Sequence, residues 1–180
     1  MKEILRKIVE ELSNVSLRCR TGNGAKPWTR EIKSAICRIA KVSSSSPYDN
    51  KLYATNCDGA DGGEWLFDLV WVREVRGGDW KLKDLILVME SEWSPSRDDQ
   101  KYDFQKLIVA KARIKLFVFQ EKGEQELLAA VGEFLEMAKT FRNLDESEFY
   151  IFAGCARHED ERFHFYCYDG AGKESVVVNV

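Results

Sequence analysis

The chain has 180 residues, of which 44% are hydrophobic and 32% charged, with a net charge of −3. That is the composition of an ordinary globular domain able to bury a core, and it argues against a strongly basic nucleic-acid binder. No apolar stretch approaches the roughly 20 residues that span a bilayer.

The opening segment, MKEILRKIVEELSNV, mixes charges with apolar residues and lacks a signal-peptide core, which points to the cytoplasm. Residues 2–12 read as an amphipathic helix carrying Ile4, Leu5, Ile8, Val9 and Leu12 on one face. TGNGAKPW breaks the chain and is no P-loop, since the GxxxxGK[ST] spacing is absent. PWTREIKSAICRIAKV predicts a second helix with Thr29 as candidate N-cap and Ile32, Ala35, Ile36 and Ile39 as its stripe. Residues 1–42 hold ten Lys/Arg against four Glu, a local +6 that leaves −9 for the rest. Solvated helix faces and a phosphate-contacting surface explain that asymmetry equally well.

A short strand is expected over residues 51–56, then a glycine-rich acidic loop, CDGADGGE, without EF-hand spacing. Two strand-like runs follow over 64–75 and 81–92, joined by RGGD, a hairpin signal. Next come a helix over 101–112, a buried strand over 114–119, and an amphipathic helix within 123–141. EFYIFAGCA and FHFYCYD form a second expected hairpin around RHEDER, and ESVVVNV a candidate last strand. The order predicts a single α/β domain over 1–180, bordering on α+β, with a mixed sheet.

The five cysteines are scattered, with no CxxC or Cys/His zinc spacing, and read as reduced structural thiols. His158 and His164 show no zinc spacing either, and no Ser-His-Asp or Cys-His arrangement is evident. Trp65, Trp71, Trp80 and Trp93 read as core or rim packing around the first hairpin.

LILVMESEWS ends an oily strand in two carboxylates one residue apart, so Glu90 and Glu92 share a face. Asp68, in WLFDLVW, has three apolar neighbours on each side, an unusual setting for a surface aspartate. Folding the hairpin about Gly78 or Asp79 brings Asp68 to the face of Glu90, whereas a two-residue Gly77–Gly78 turn puts them on opposite faces. In the first register three carboxylates converge and demand a hard cation. Oxygen ligands without His or Cys suit Mg²⁺ or Mn²⁺. The competing reading has Glu90 and Glu92 ending a strand in solvent while Asp68 bonds a backbone amide.

GEWLFDLVW, LVMESEW and DFQKLIVAKARIKLFVF, in that order, resemble the PD-(D/E)XK nuclease superfamily over residues 28–120. The resemblance implies a restriction-endonuclease-like fold: a mixed central sheet flanked by helices, with residues 121–180 adding a C-terminal helix and strands. It implies metal-dependent hydrolysis of a phosphodiester in nucleic acid, with DNA the favoured substrate. Asp68 and Glu90 would be the metal-binding acids and Ser91 a backbone-carbonyl ligand, with Glu31 an auxiliary acid. Glu92 stands where the family pattern has lysine, Lys106 is the candidate migrated lysine, and Gln105 beside it resembles the helix glutamine of some branches. A non-catalytic nucleic-acid-binding or protein-interaction module on the same fold is the alternative, and the oligomeric state, a homodimer included, is left open.

Overall fold

Six strands and four helices occur among the described residues, which in this computed structural model are 2–19, 25–43, 50–74, 81–141, 145–157 and 162–174. They are α1 (Lys2–Cys19), α2 (Ala25–Val42), β1 (Asn50–Ala54), β2 (Leu69–Glu74), β3 (Leu82–Glu92), α3 (Arg97–Val109), β4 (Ala112–Glu121), α4 (Glu124–Thr140), β5 (Phe149–Ala156) and β6 (Phe163–Asp169). The strands form a mixed sheet ordered β1-β2-β3-β4-β5-β6. β1–β2 and β5–β6 are antiparallel and β4–β5 is parallel, so the expected α/β class is what the chain adopts. By contact density the chain divides into two compact units, Met1–Val88 and Met89–Val176, and the division falls inside β3.

In the first unit, Leu5, Ile8, Val9, Leu12 and Val15 of α1 are fully buried, and α1 packs on α2. The apolar period runs on past Leu12 to Val15, so the helix exceeds the expected 2–12. α2 begins at Ala25, earlier than expected, with Pro27 in its first turn, where a missing N–H interrupts no helical bond. Thr29 therefore lies inside the helix and is not its N-cap.

The glycine-rich loop folds back on β1. Asp61 N–H donates to Leu52 O at 2.7 Å, Leu52 N–H to Asp61 Oδ2 at 2.9 Å, and Ala54 N–H to Gly62 O at 3.1 Å. β2 starts at Leu69, five residues later than the pattern suggests. The reason is Leu66, whose φ of +65° is left-handed and cannot continue a strand. Asp68 consequently stands at the entrance of β2, not within it. Trp71 is buried against the core, as expected of a packing tryptophan.

In the second unit, Ser96 caps α3 by accepting from Asp99 N–H, and the helix ends at Val109. The last residue of the expected helix, Ala112, instead opens β4, which runs ten residues, 112–121, and is longer than the predicted 114–119. β4, α4 and β5 make a strand–helix–strand crossover, the connection that adjacent parallel strands require. Its core is aromatic: the Phe104 ring lies 5.0 Å from Phe134, 5.6 Å from Phe117 and 5.6 Å from Phe152. Gly154 allows α4 to close on β5, since a Cβ there would sit 2.5 Å from Leu127 Cδ2. The RGGD turn, Trp80, His158 and residues 175–180 of the candidate last strand lie outside the described residues.

Candidate functional site

The second unit assembles a charged cluster from the end of β3 and one face of α3. Glu90 follows the apolar run Leu85–Met89 of β3 and is only 3% exposed. An isolated carboxylate at that depth is costly, so a cation must accompany it. That cation is Lys106, whose Nζ lies 2.8 Å from Glu90 Oε1 and 2.8 Å from Asp103 Oδ1. Burial alone would lower the lysine pKa, but the hydrogen bonds it donates to Asp103 and Glu90 outweigh that and hold the ammonium above the ordinary lysine range.

Asp99, Asp103 and Lys106 are spaced four and three residues apart, which places them on one helical face. Glu92 belongs to the same group. Its pKa is raised, first by burial and then by the neighbouring carboxyls of Asp103 and Asp99, against the opposing hydrogen bond from Ser94 N–H. That bond, 2.6 Å to Glu92 Oε1, fixes the side chain at the strand's end. Ser94 Oγ in turn bonds Asp99 Oδ2 at 2.8 Å.

A buried amide holds this corner in place. Gln100, fully buried, donates to Ser94 O and to Gln120 O at 3.2 Å each, and accepts from Arg97 Nη1 at 2.8 Å. Gln120 closes the circuit by donating to Trp93 O. Residues 93–96, which connect β3 to α3, are thereby tied to β4. The rotamers of Glu92 and the α3 face inherit that rigidity.

The first unit holds two of the predicted residues. Asp68 lies 3.4 Å from the Nζ of Lys33, a buried lysine of α2. Glu31 is half-buried on the same helix. Several other basic residues of the N-terminal segment are likewise engaged: Arg6 with Glu10, Lys7 with Glu3, Arg30 with Asp58 and Arg38 with Glu11. Its local positive charge is thus partly neutralised within the unit.

The structure therefore brings Glu90, Glu92 and Lys106 into one cluster, with Ser91 on β3 between the two glutamates. It adds Asp103, which pairs with Lys106 from one helical turn before it, as their spacing allows. Among the described residues no group of three or more Cys, His, Asp or Glu side chains is arranged as a ready metal cage. The site still fits Mg²⁺ by its donor chemistry. The closely placed carboxyls of Glu92 and Asp103 are hard oxygen ligands, and Mg²⁺ commonly takes only one or two protein carboxylates, filling its shell with water and substrate phosphate.

A second buried charge was not foreseen. Lys115, within the apolar run of β4, has its Nζ 2.5 Å from Glu148 Oε2 and 3.2 Å from both Ile108 O and the Tyr150 hydroxyl. Every donor of its ammonium is matched, and the group serves the core.

Comparison with family models, curated proteins and solved structures finds no significant match for this chain.

Proposed function

We propose that the chain is a Mg²⁺- or Mn²⁺-dependent phosphodiesterase of the PD-(D/E)XK type, acting on nucleic acid, with DNA the favoured substrate. The observation that carries this reading is the approach of Lys106 to buried Glu90 at 2.8 Å. A helix-borne lysine thus stands beside the strand-end glutamate, while Glu92 occupies the place where the family pattern has its lysine.

In this reading Glu92 and Asp103 would hold the ion, with the Ser91 carbonyl a further ligand and Glu90 paired to Lys106. A bound Mg²⁺ would polarise the phosphate and make a coordinated water more acidic. An ion held at Glu92 would offset the like-charge crowding of that carboxylate with Asp103 and Asp99. Lys106 keeps its charge throughout and offsets the negative charge that develops on the phosphoryl oxygens. Asp68 and Glu31 are assigned to the metal by the family resemblance alone. A cytoplasmic setting goes with this activity.

The test is Mn²⁺ titration calorimetry on the wild type, Glu92→Ala and Asp68→Ala, followed by cleavage assays on single- and double-stranded DNA and on RNA. Binding that is lost in Glu92→Ala, together with metal-dependent cleavage, supports the assignment. Loss in Asp68→Ala extends the ligand set to Asp68.

A second reading, a non-catalytic nucleic-acid or protein-binding module, is favoured by one feature. Asp68 and Glu90 each already face a lysine, so neither needs a metal for charge balance. Wild-type protein that binds nucleic acid but neither Mn²⁺ nor Mg²⁺, and cleaves nothing, would select it.

A further inference from the structure

We propose that Cys57 and Cys37 form a redox-active thiol pair, in which Cys57 attacks a hydroperoxide and Cys37 resolves the product to an intramolecular disulfide. The two sulfurs lie 3.0 Å apart, inside ordinary non-bonded contact. A disulfide needs about 2.05 Å, so closure asks for an approach of about 1 Å, within reach of small side-chain rotations.

Their settings differ in the way such a pair needs. Cys37 projects from the C-terminal half of α2 and is 1% exposed. Cys57 is partly exposed on the loop after β1, between the solvent-exposed residues Asn56 and Asp58. Two left-handed residues, Asn56 at φ +52° and Gly59 at φ +102°, wind that loop so that its sulfur meets the helix. The hydrogen bonds of Asp61 and Ala54 to the loop and strand backbone hold it there.

Charge and hydrogen bonding then separate the two thiols. The hydrogen bond from Cys37 holds Cys57 down to about 7, helped by the Ser34 hydroxyl, the Lys33 ammonium and the Ala60 N–H, while burial opposes. The same contact, with burial, pushes Cys37 upward. The accessible sulfur, being the more acidic, is therefore the nucleophile of the pair, and the buried one holds its proton more tightly.

The chemistry balances. The Cys57 thiolate attacks the terminal oxygen of ROOH, an S–O bond forms and the O–O bond breaks. The alkoxide leaves as ROH after taking a proton. Cys37 then attacks the sulfenic sulfur, the S–S bond forms, and the hydroxide leaves with the Cys37 proton as water. Two thiols lose two electrons, and the peroxide gains them. None of this depends on the charged cluster of the second unit.

The experiment treats the purified full chain with hydrogen peroxide, then alkylates it under denaturing conditions and maps the peptides. The expected result is a Cys37–Cys57 cross-linked peptide, with those two cysteines lost from alkylation while Cys155 and Cys167 remain. Cys37→Ser should instead accumulate a dimedone adduct on Cys57. If that variant does not fold, the wild-type map with Cys155 and Cys167 as internal references still decides. Cys37 and Cys57 alkylated as fully as Cys155 and Cys167, or Cys57 paired with another cysteine, would overturn the proposal.

Discussion

Lys106 Nζ lies 2.8 Å from Glu90 Oε1 and equally close to Asp103 Oδ1, so one ammonium serves a buried strand carboxylate and a helix carboxylate together. Removing one member of a fully buried pair costs about 3–5 kcal/mol, whereas exposed pairs are worth about 0–1 kcal/mol. The Lys106 side chain is 36% exposed and Glu90 is buried, so the case falls between. Lys106→Met should destabilise by about 2 kcal/mol in urea unfolding, and by clearly less in a Glu90→Gln background. Additive losses within about 0.5 kcal/mol would show that the two groups are not coupled. Because the folded-state lysine pKa is raised, this contribution is complete below the ordinary lysine value and is lost only as pH rises through the higher folded value.

Glu92 shows the same pH sense for a different reason. Its pKa is raised in the folded state, chiefly by burial. The fold therefore favours the protonated form: the contribution is stabilising below the ordinary glutamate value and is lost as pH rises through the folded value. At neutral pH the charged carboxylate is a burden beside Asp103 and Asp99. Glu92→Gln keeps an acceptor for Ser94 N–H and removes that burden. It should raise stability on the order of 0.5 kcal/mol at neutral pH after solvent screening, and the gain should vanish in acid. The same variant should lose Mn²⁺ binding. Greater stability with weaker metal binding is the trade expected where a residue is kept for function.

Much of this cluster could be read in advance, and the reasons are local. Glu90 and Glu92 are separated by one residue on a strand of strong apolar character, and β3 runs over Leu82–Glu92 as its pattern implies. Asp103 and Lys106 are one helical turn apart, so their pairing is also a short-range signal. The start of β2 was illegible because the left-handed φ of Leu66 contradicts the residue's own preference and is imposed by context. Pairs distant in the chain were equally hidden: Lys33 with Asp68, Lys115 with Glu148, Cys37 with Cys57. Each belongs to tertiary contact and leaves no periodicity behind. The short apolar run KLFVFQ concealed that its first residue is a buried, fully bonded ammonium.

Lys115 and Glu148 test how costly such a buried pair is. Burial lowers the lysine pKa and raises that of Glu148, and in each case it outweighs the partner's attraction. The lowered lysine contributes stability that grows as pH rises through its folded value. The raised glutamate contributes stability below the ordinary glutamate value, lost as pH rises through its folded value. At neutral pH, with both charged, the pair pays its desolvation twice. Lys115→Met alone or Glu148→Met alone should cost about 3–5 kcal/mol by stranding the remaining charge. The double variant Lys115→Met/Glu148→Met should recover to within about 1 kcal/mol of wild type, or surpass it. Chemical denaturation of the four proteins checks this, and a double variant as unstable as the summed singles would show that the pair carries net stability.

Gly59 links backbone conformation to thiol chemistry. At φ +102° an L side chain is strained, and an added Cβ would lie 3.0 Å from Lys41 Nζ and 3.7 Å from Cys37 Cβ. The lysine end can swing away, so the close contact is inexpensive and the backbone term decides the outcome. Gly59→Ala should therefore destabilise the first unit by about 1–2 kcal/mol. It should also shift the loop that carries Cys57 from its seat on α2. Peroxide-driven cross-linking of Cys37 to Cys57 should slow in proportion, while Lys41→Ala, which removes only the flexible contact, leaves the strain of Gly59→Ala in place. Thermal unfolding of Gly59→Ala, alone and with Lys41→Ala, separates the two terms. Rescue by Lys41→Ala would mean that crowding, not the left-handed backbone, makes this position a glycine.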